Sequence, residues 1–223
     1  MAIKSFSTEN TGIIVVDVQA DFTELESGTL AVPGTDVQYI DAVRKETQRF
    51  LDEGLPVYFT QDWHPADHIS FFTNNPGTKP FQEIEIEEGR TQVMWPPHCV
   101  QNTPGADILI NIKGPVETVE KGTNPKLDSY SGFFDDGGNK TDLDRLLRRD
   151  GIKKVIIYGL ATDYCVRATV LHAVELGYQV ELLVDFCRGL SPETSERAVK
   201  EMKEKGAAVN RALKVKGGNQ VYR

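Results

Sequence analysis

No stretch of this 223-residue chain approaches the roughly 18–20 consecutive apolar residues of a membrane-spanning helix. Met1 to Asn10 has neither the apolar core nor the small-residue cleavage pattern of a secretory signal. Cysteine is scarce: Cys99, Cys165 and Cys187 are an odd number without regular spacing, as expected of free thiols in a reducing compartment. The cytoplasm is therefore the expected location. Positive charge is also in deficit. With 25 Lys and Arg against 33 Asp and Glu, the net charge is −8 and the pI near 5.1, which argues against nucleic acid or an anionic membrane surface as partner. No GxGxxG follows a strand and no GxxxxGK[ST] occurs, so dinucleotide and P-loop readings fail. The phosphatase pattern Asp-x-Asp is missing too, because Gln19 holds the second acidic place after Asp17.

What is present fits an ordinary globular enzyme. At 39% hydrophobic and 26% charged, residues 1–223 read as one domain. A domain of this size buries roughly 70% of its unfolded surface and needs no disulfide or metal to fold. The β-branched run Ile13-Ile14-Val15-Val16, ending in Asp17, reads as a strand buried on both faces. Gly34 to Gly54 reads as a helix, with Val37, Ile40, Val43 and Phe50 on one face. Further strands are expected at Leu55 to Thr60, Thr118 to Lys121, Val155 to Tyr158, Val180 to Val184 and Ala207 to Val209. Further helices are expected at Thr141 to Arg149, Thr162 to Gly177 and Pro192 to Gly206. The stretch from Asp62 to about Val116 is rich in Pro, Gly and polar residues, with a short helix expected near Ala106 to Asn111. A loop region of that length in a compact domain is usually functional. Alternating strands and helices predict an α/β fold: three layers, with helices on both faces of a doubly wound, mostly parallel sheet of about six strands. Ligands of such sheets bind beyond the carboxyl ends of the strands, so reactive residues should sit just after strands.

Cys165 does so, between a buried strand and a helix. Free amides at a helix start would lower the thiol pKa and could hold an oxyanion. Its base is not His172: seven helical residues place that imidazole ~10 Å away. Asp17, ending the first strand on the same sheet edge, is the better candidate. Lys121, ending the third, could stabilise thiolate and carboxylate together. Asp62 and His64 follow the second strand at an extended i, i+2 spacing that lets both bind one cation, with His68 and His98 as further ligands from the long loop. Pro65 rules out a zincin helix at His64–His68.

Taken in order, Asp17-Val-Gln-Ala-Asp-Phe22, Asp62-Trp-His-Pro65, Trp95-Pro-Pro-His-Cys99, Lys121-Gly122 and Gly159-Leu-Ala-Thr-Asp-Tyr-Cys165 resemble the nicotinamidases of the isochorismatase-like cysteine hydrolase superfamily. The resemblance spans about residues 12 to 210 and implies that superfamily's fold. It implies Asp17 as base, Lys121 as its electrostatic partner and Cys165 as nucleophile, with the amides of Ala161 and Cys165 as oxyanion hole after a cis Leu160–Ala161 peptide. It implies Phe22, Trp95 and Tyr130 as the lining of a ring pocket. Asp62, His64 and His98 would bind one divalent metal ion, zinc first, although iron and manganese suit the same donors. His68 matches a position that coordinates metal in some relatives and not in others. The implied substrate is nicotinamide, with pyrazinamide as a related ring amide, and the reaction is amide hydrolysis through a Cys thioester in NAD salvage. Two rivals stand beside it: another hydrolase of the superfamily, acting on a carbamoyl or enol-ether substrate, and a non-catalytic binding member. Closed homo-oligomers are common among such enzymes, which leaves self-association open. Residues Asn74 to Thr91, with the acidic run Glu83 to Glu88, read as a solvated surface excursion.

Overall fold

The computed structural model describes residues 9–25, 28–86, 89–213 and 221–222. Its frame is a six-stranded sheet built on the apolar runs. β1 (Thr11–Val16) is buried along its whole length and pairs in parallel with β2 (Val57–Asp62) on one side and with β6 (Lys154–Leu160) on the other. A two-stranded hairpin, β3 (Glu83–Glu85) and β4 (Thr91–Val93), stands apart from the main sheet. The sheet continues through β5 (Glu117–Lys121) beyond β2, and through β7 (Gln179–Arg188) and β8 (Ala208–Asn210) beyond β6, giving the order β5-β2-β1-β6-β7-β8 with every pairing parallel.

The crossover helices are α1 (Val37–Asp52), α2 (Leu143–Arg149), α3 (Arg167–Glu175) and α4 (Pro192–Glu204). The chain leaves β1 toward β2, but after β5 it steps the other way, through β6 to β7 and β8. Right-handed crossovers in opposite directions put α1 on one face and α2, α3 and α4 on the other, the doubly wound arrangement expected from the sequence. The reversal makes the gap between β1 and β6 a topological switch point, where a ligand crevice forms. Local chemistry sets the helix starts: Asp36 accepts from the Tyr39 amide at α1, and Ser191 accepts from the Thr194 amide at α4, with Pro192 as first residue.

The structure corrects several details. Val37 points away from the core, 65% exposed, and α1 instead buries Tyr39, Val43, Thr47 and Phe50. The helix expected at Ala106 to Asn111 is a single 3-10 turn at Pro104–Ala106, after which Ile108 makes an isolated antiparallel bridge to Gln19. Cys165 lies in a π-helical turn, Thr162–Val166, and the regular helix starts only at Arg167. The long segment after β2 is ordered by isolated bridges, His64 with Val100 and Phe71 with Trp95, and by the β3–β4 hairpin. Among the described residues no helix is long and apolar enough to cross a membrane.

Candidate active site

Four adjacent strand ends deliver four reactive side chains. In sheet order these are Lys121 ending β5, Asp62 ending β2, Asp17 directly after β1, and Cys165 in the turn after β6. The register aligns Asp62 with Lys121 and Val16 with Gly159, so parallel pairing brings these strand ends to one edge. The chain turns sharply at Asp17, where φ is +46°, a conformation uncommon for a residue with a side chain. Gly159 permits close packing here: a Cβ on it would lie 2.1 Å from the Val16 carbonyl oxygen. The peptide between Leu160 and Ala161 is cis.

Lys121 Nζ is the hub. It lies 2.9 Å from Asp17 Oδ2, 2.5 Å from Asp62 Oδ1, 2.8 Å from the Ser129 carbonyl oxygen and 3.5 Å from Cys165 Sγ. All four side chains are buried. One ammonium thus faces two carboxylates in a dry setting, where such a group persists only because it is paired. Thr60 Oγ1 donates to Asp17 Oδ1 at 2.6 Å. Asp17 Oδ2 sits off the direction of a hydrogen bond from Lys121 and keeps free capacity to accept a proton. Burial raises the Asp17 pKa above the usual carboxylate range, Lys121 opposing. Burial would raise Asp62 as well, but Lys121 and His64 hold it well below that range. Burial pushes the Cys165 thiol well above its ordinary value, with Lys121 opposing and Asp17 and Asp62 adding to the rise, against the lowering expected of a helix start. A helix start was visible in the sequence, and the full burial of the sulfur was not.

Beside Asp62 lie the imidazoles. Asp62, His64 and His98 offer ligand atoms all within 4.8 Å of one another, and His64 Nε2 stands 3.5 Å from Asp62 Oδ2. His64 Nδ1 faces the Gly122 carbonyl oxygen at 3.0 Å and His98 Nδ1 faces that of Pro96 at 2.7 Å. A carbonyl can only accept, so each Nδ1 carries hydrogen and each Nε2 is the atom left for a cation. Burial and neighbouring His64 depress the His98 pKa to about 4, keeping that ring neutral at pH 7, while Asp62 outweighs burial and raises His64. Two imidazoles and one carboxylate, oriented through their far nitrogens, fit a divalent cation with coordination positions left open. His68 stands outside the set. Its Nε2 faces the Leu127 carbonyl oxygen at 3.1 Å and its Nδ1 the Ser70 hydroxyl at 2.8 Å, so both ring nitrogens are engaged, although its ring packs on His64 at 4.3 Å.

Between the two sides opens a small, mostly apolar pocket. Phe22, Leu30 and Val32 form one wall; Trp95, Tyr130 and Tyr164 form another, with Asp62, His98, Asp128, Ala161 and Cys165 as the polar contributors. Trp95 Nε1 donates to Tyr130 Oη at 3.0 Å. Phe22, Trp95, Tyr130 and Ala161 all line this pocket.

The sequence reading missed several contributors. Gln19, noted only as an absent acid, clamps the end of β2: its amide donates to the Asp62 carbonyl and accepts from the Asp62 amide, both at 2.8 Å. Gly122 is required by His64, whose ring a Cβ would meet at 2.3 Å. Asp128, buried at the pocket wall, accepts from Gln92 Nε2 at 2.7 Å and from the Ser129 amide at 2.8 Å. Thr60 offered no signal beyond lying one turn of the pleat from Asp62.

Comparison with known proteins gives a consistent result. The isochorismatase domain family matches residues 11–212. A nicotinamidase of Escherichia coli K12 is 42% identical over 202 residues, covering 88% of this chain and 92% of that protein. Among solved structures, the pyrazinamidase of Pyrococcus horikoshii in complex with zinc superposes with a TM-score of 0.75 at 40% identity, covering 90% of this chain and 98% of that one. The yeast nicotinamidase bound to the inhibitor nicotinaldehyde does so with a TM-score of 0.81 at 31% identity, covering 89% and 98%.

Proposed function

The chain belongs to the isochorismatase family, and from that membership and its pocket we infer a nicotinamidase that hydrolyses nicotinamide to nicotinate and ammonia. The observation that carries the reading is the buried cluster Lys121–Asp62–Asp17–Cys165 together with an aromatic pocket lined by Cys165, Asp62 and His98. The whole chain is read as one hydrolase domain, working in the reducing cytoplasm that its free buried thiols suit.

Asp62, His64 and His98 would hold one divalent cation; their donor set and the zinc complex of the archaeal relative favour zinc. When bound, that ion supplies a Lewis-acid point that fixes the ring nitrogen of the substrate. The remaining chemistry belongs to the chain. Because burial holds Cys165 as a thiol, its proton must be taken as attack begins, and Asp17 Oδ2, buried with spare acceptor capacity, is the base. Lys121 stabilises the developing thiolate and opposes protonation of Asp17 before attack. The sulfur adds to the amide carbon, and the oxygen of the tetrahedral species is held by the amides of Ala161 and Cys165. Asp17 returns the proton to the amide nitrogen and ammonia leaves. Water then cleaves the thioester, again with Asp17 as base. Phe22, Trp95 and Tyr130 hold the ring.

The direct test is ammonia release from nicotinamide by zinc-loaded protein, with pyrazinamide and benzamide alongside. Nicotinamide and pyrazinamide should turn over, and benzamide, which lacks a ring nitrogen, should be poor. No turnover of nicotinamide would overturn the assignment.

A further inference from the structure

Phe81 combines two features that are costly together. It is 58% exposed, one of few large apolar side chains on the surface of the described residues, and its φ is +65°, where a bulky side chain is an outlier. Glycine or asparagine would suit that backbone and that exposure better. The conformation is held by the base of the β3–β4 hairpin. The Phe81 amide donates to the Met94 carbonyl at 2.6 Å, and the Met94 amide donates to the Gln82 carbonyl at 2.8 Å. The acids of the hairpin match the reading of a solvated excursion, Glu83 and Glu85 being exposed. Phe81 does not: the left-handed turn brings its ring edge-on to Trp95, with centroids 5.8 Å apart and planes at 90°.

Trp95 is a wall of the substrate pocket and only 4% exposed. Within the pocket its indole meets Tyr164 edge-on at 5.0 Å and donates to Tyr130. Its backbone is pinned by Ser70 and Phe72. Those contacts hold the indole from the pocket side, and Phe81 meets it from the hairpin side.

We propose that Phe81 is a positioning residue, which fixes the Trp95 indole from outside the pocket and so sets how tightly the substrate ring is gripped. This rests on the reading of the pocket as a nicotinamide site. A wall that grips the ring equally in ground state and transition state acts on KM and leaves kcat unchanged.

The test uses zinc-loaded full-length protein with nicotinamide. Phe81→Gly removes the ring while suiting the left-handed backbone, so its Tm should equal or exceed that of the parent. Its KM should rise about threefold to tenfold, the size of a lost edge-on aromatic contact, with kcat within about twofold. Phe81→Leu should fall between the two proteins, and Phe81→Tyr, which restores the ring edge, should return KM to the parent value. A KM for Phe81→Gly within about twofold of the parent overturns the proposal. So does a rise in KM that Phe81→Tyr shares, or one accompanied by an equal fall in kcat and Tm. Failure of the underlying site reading looks different: the parent itself would then not turn over nicotinamide.

Discussion

The two sides of the pocket are built by different means. On the sheet side, Lys121, Asp62, Asp17 and Cys165 take their relative positions from hydrogen-bond register between neighbouring parallel strands, and one ammonium balances two carboxylates. On the loop side, His98 arrives from a distant part of the crossover. It is placed by the bridge of His64 to Val100 and by one carbonyl contact per imidazole, from Gly122 and Pro96. Register positions several groups at once and buries their charges as a unit. A loop positions one group per hydrogen bond and leaves its nitrogens ready for an incoming ion. Chemistry at the sulfur should therefore depend on the sheet side, and alignment of the ring on the loop side.

The largest expected effect breaks the sheet side at its reacting atom. Cys165→Ala should lower ammonia release by at least about 10³-fold with the fold intact. Activity within tenfold of the parent would remove Cys165 as nucleophile. Lys121→Met should come next, because it strands Asp17 and Asp62 without their cation. Stability should fall by about 3–5 kcal/mol, and alkylation of Cys165 should shift to higher pH, since the ammonium favours the thiolate. An unshifted alkylation profile would place Lys121 outside the reaction.

His98→Ala sharpens the comparison from the other side. Zinc binding should weaken and nicotinamide turnover fall about 10²-fold through misalignment, while iodoacetamide still alkylates Cys165 at the parental rate. Equal loss of both would merge the two sides into one. The smallest effect concerns His68. Burial and His64 hold its pKa at about 4, below the ordinary 6.5. The unfolded chain therefore binds the extra proton between these values. The stability this contributes is complete above about pH 6.5 and is lost as pH falls toward 4. In metal-free protein, His68→Gln should flatten the fall of Tm across that window while sparing zinc affinity. An unchanged slope, or loss of zinc, would contradict the placement of His68 outside the ligand set.

The same contrast explains what could be read from the sequence. Asp17, Asp62, Lys121 and Cys165 were legible because a buried β-branched run identifies a strand, and a parallel sheet exposes its carboxyl ends to the ligand. His64 was legible by its spacing from Asp62. That His98 meets it, while His68 turns both nitrogens to Leu127 and Ser70, depends on bridges between distant segments that no local pattern encodes. Gln19, Thr60 and Asp128 are common polar residues whose roles exist only through partners far along the chain. Val37 shows the limit of periodicity: it matched the helical spacing of the core face, yet it is exposed while Tyr39 in the same turn is buried. Cys165 shows another, since a helix start suggests an acidic thiol until the burial of the sulfur is counted.

Gly122 lies between the two sides, and its position bears on redesign. It follows the lysine that balances the reacting groups, it supplies the carbonyl that orients His64, and its missing side chain makes room for that ring. Any attempt to re-engineer the ion specificity by reshaping residues 121–122 would disturb the nucleophile's counter-charge in the same stroke. The end of β5 therefore leaves a designer seeking a different ion or a larger ring amide almost no room to work.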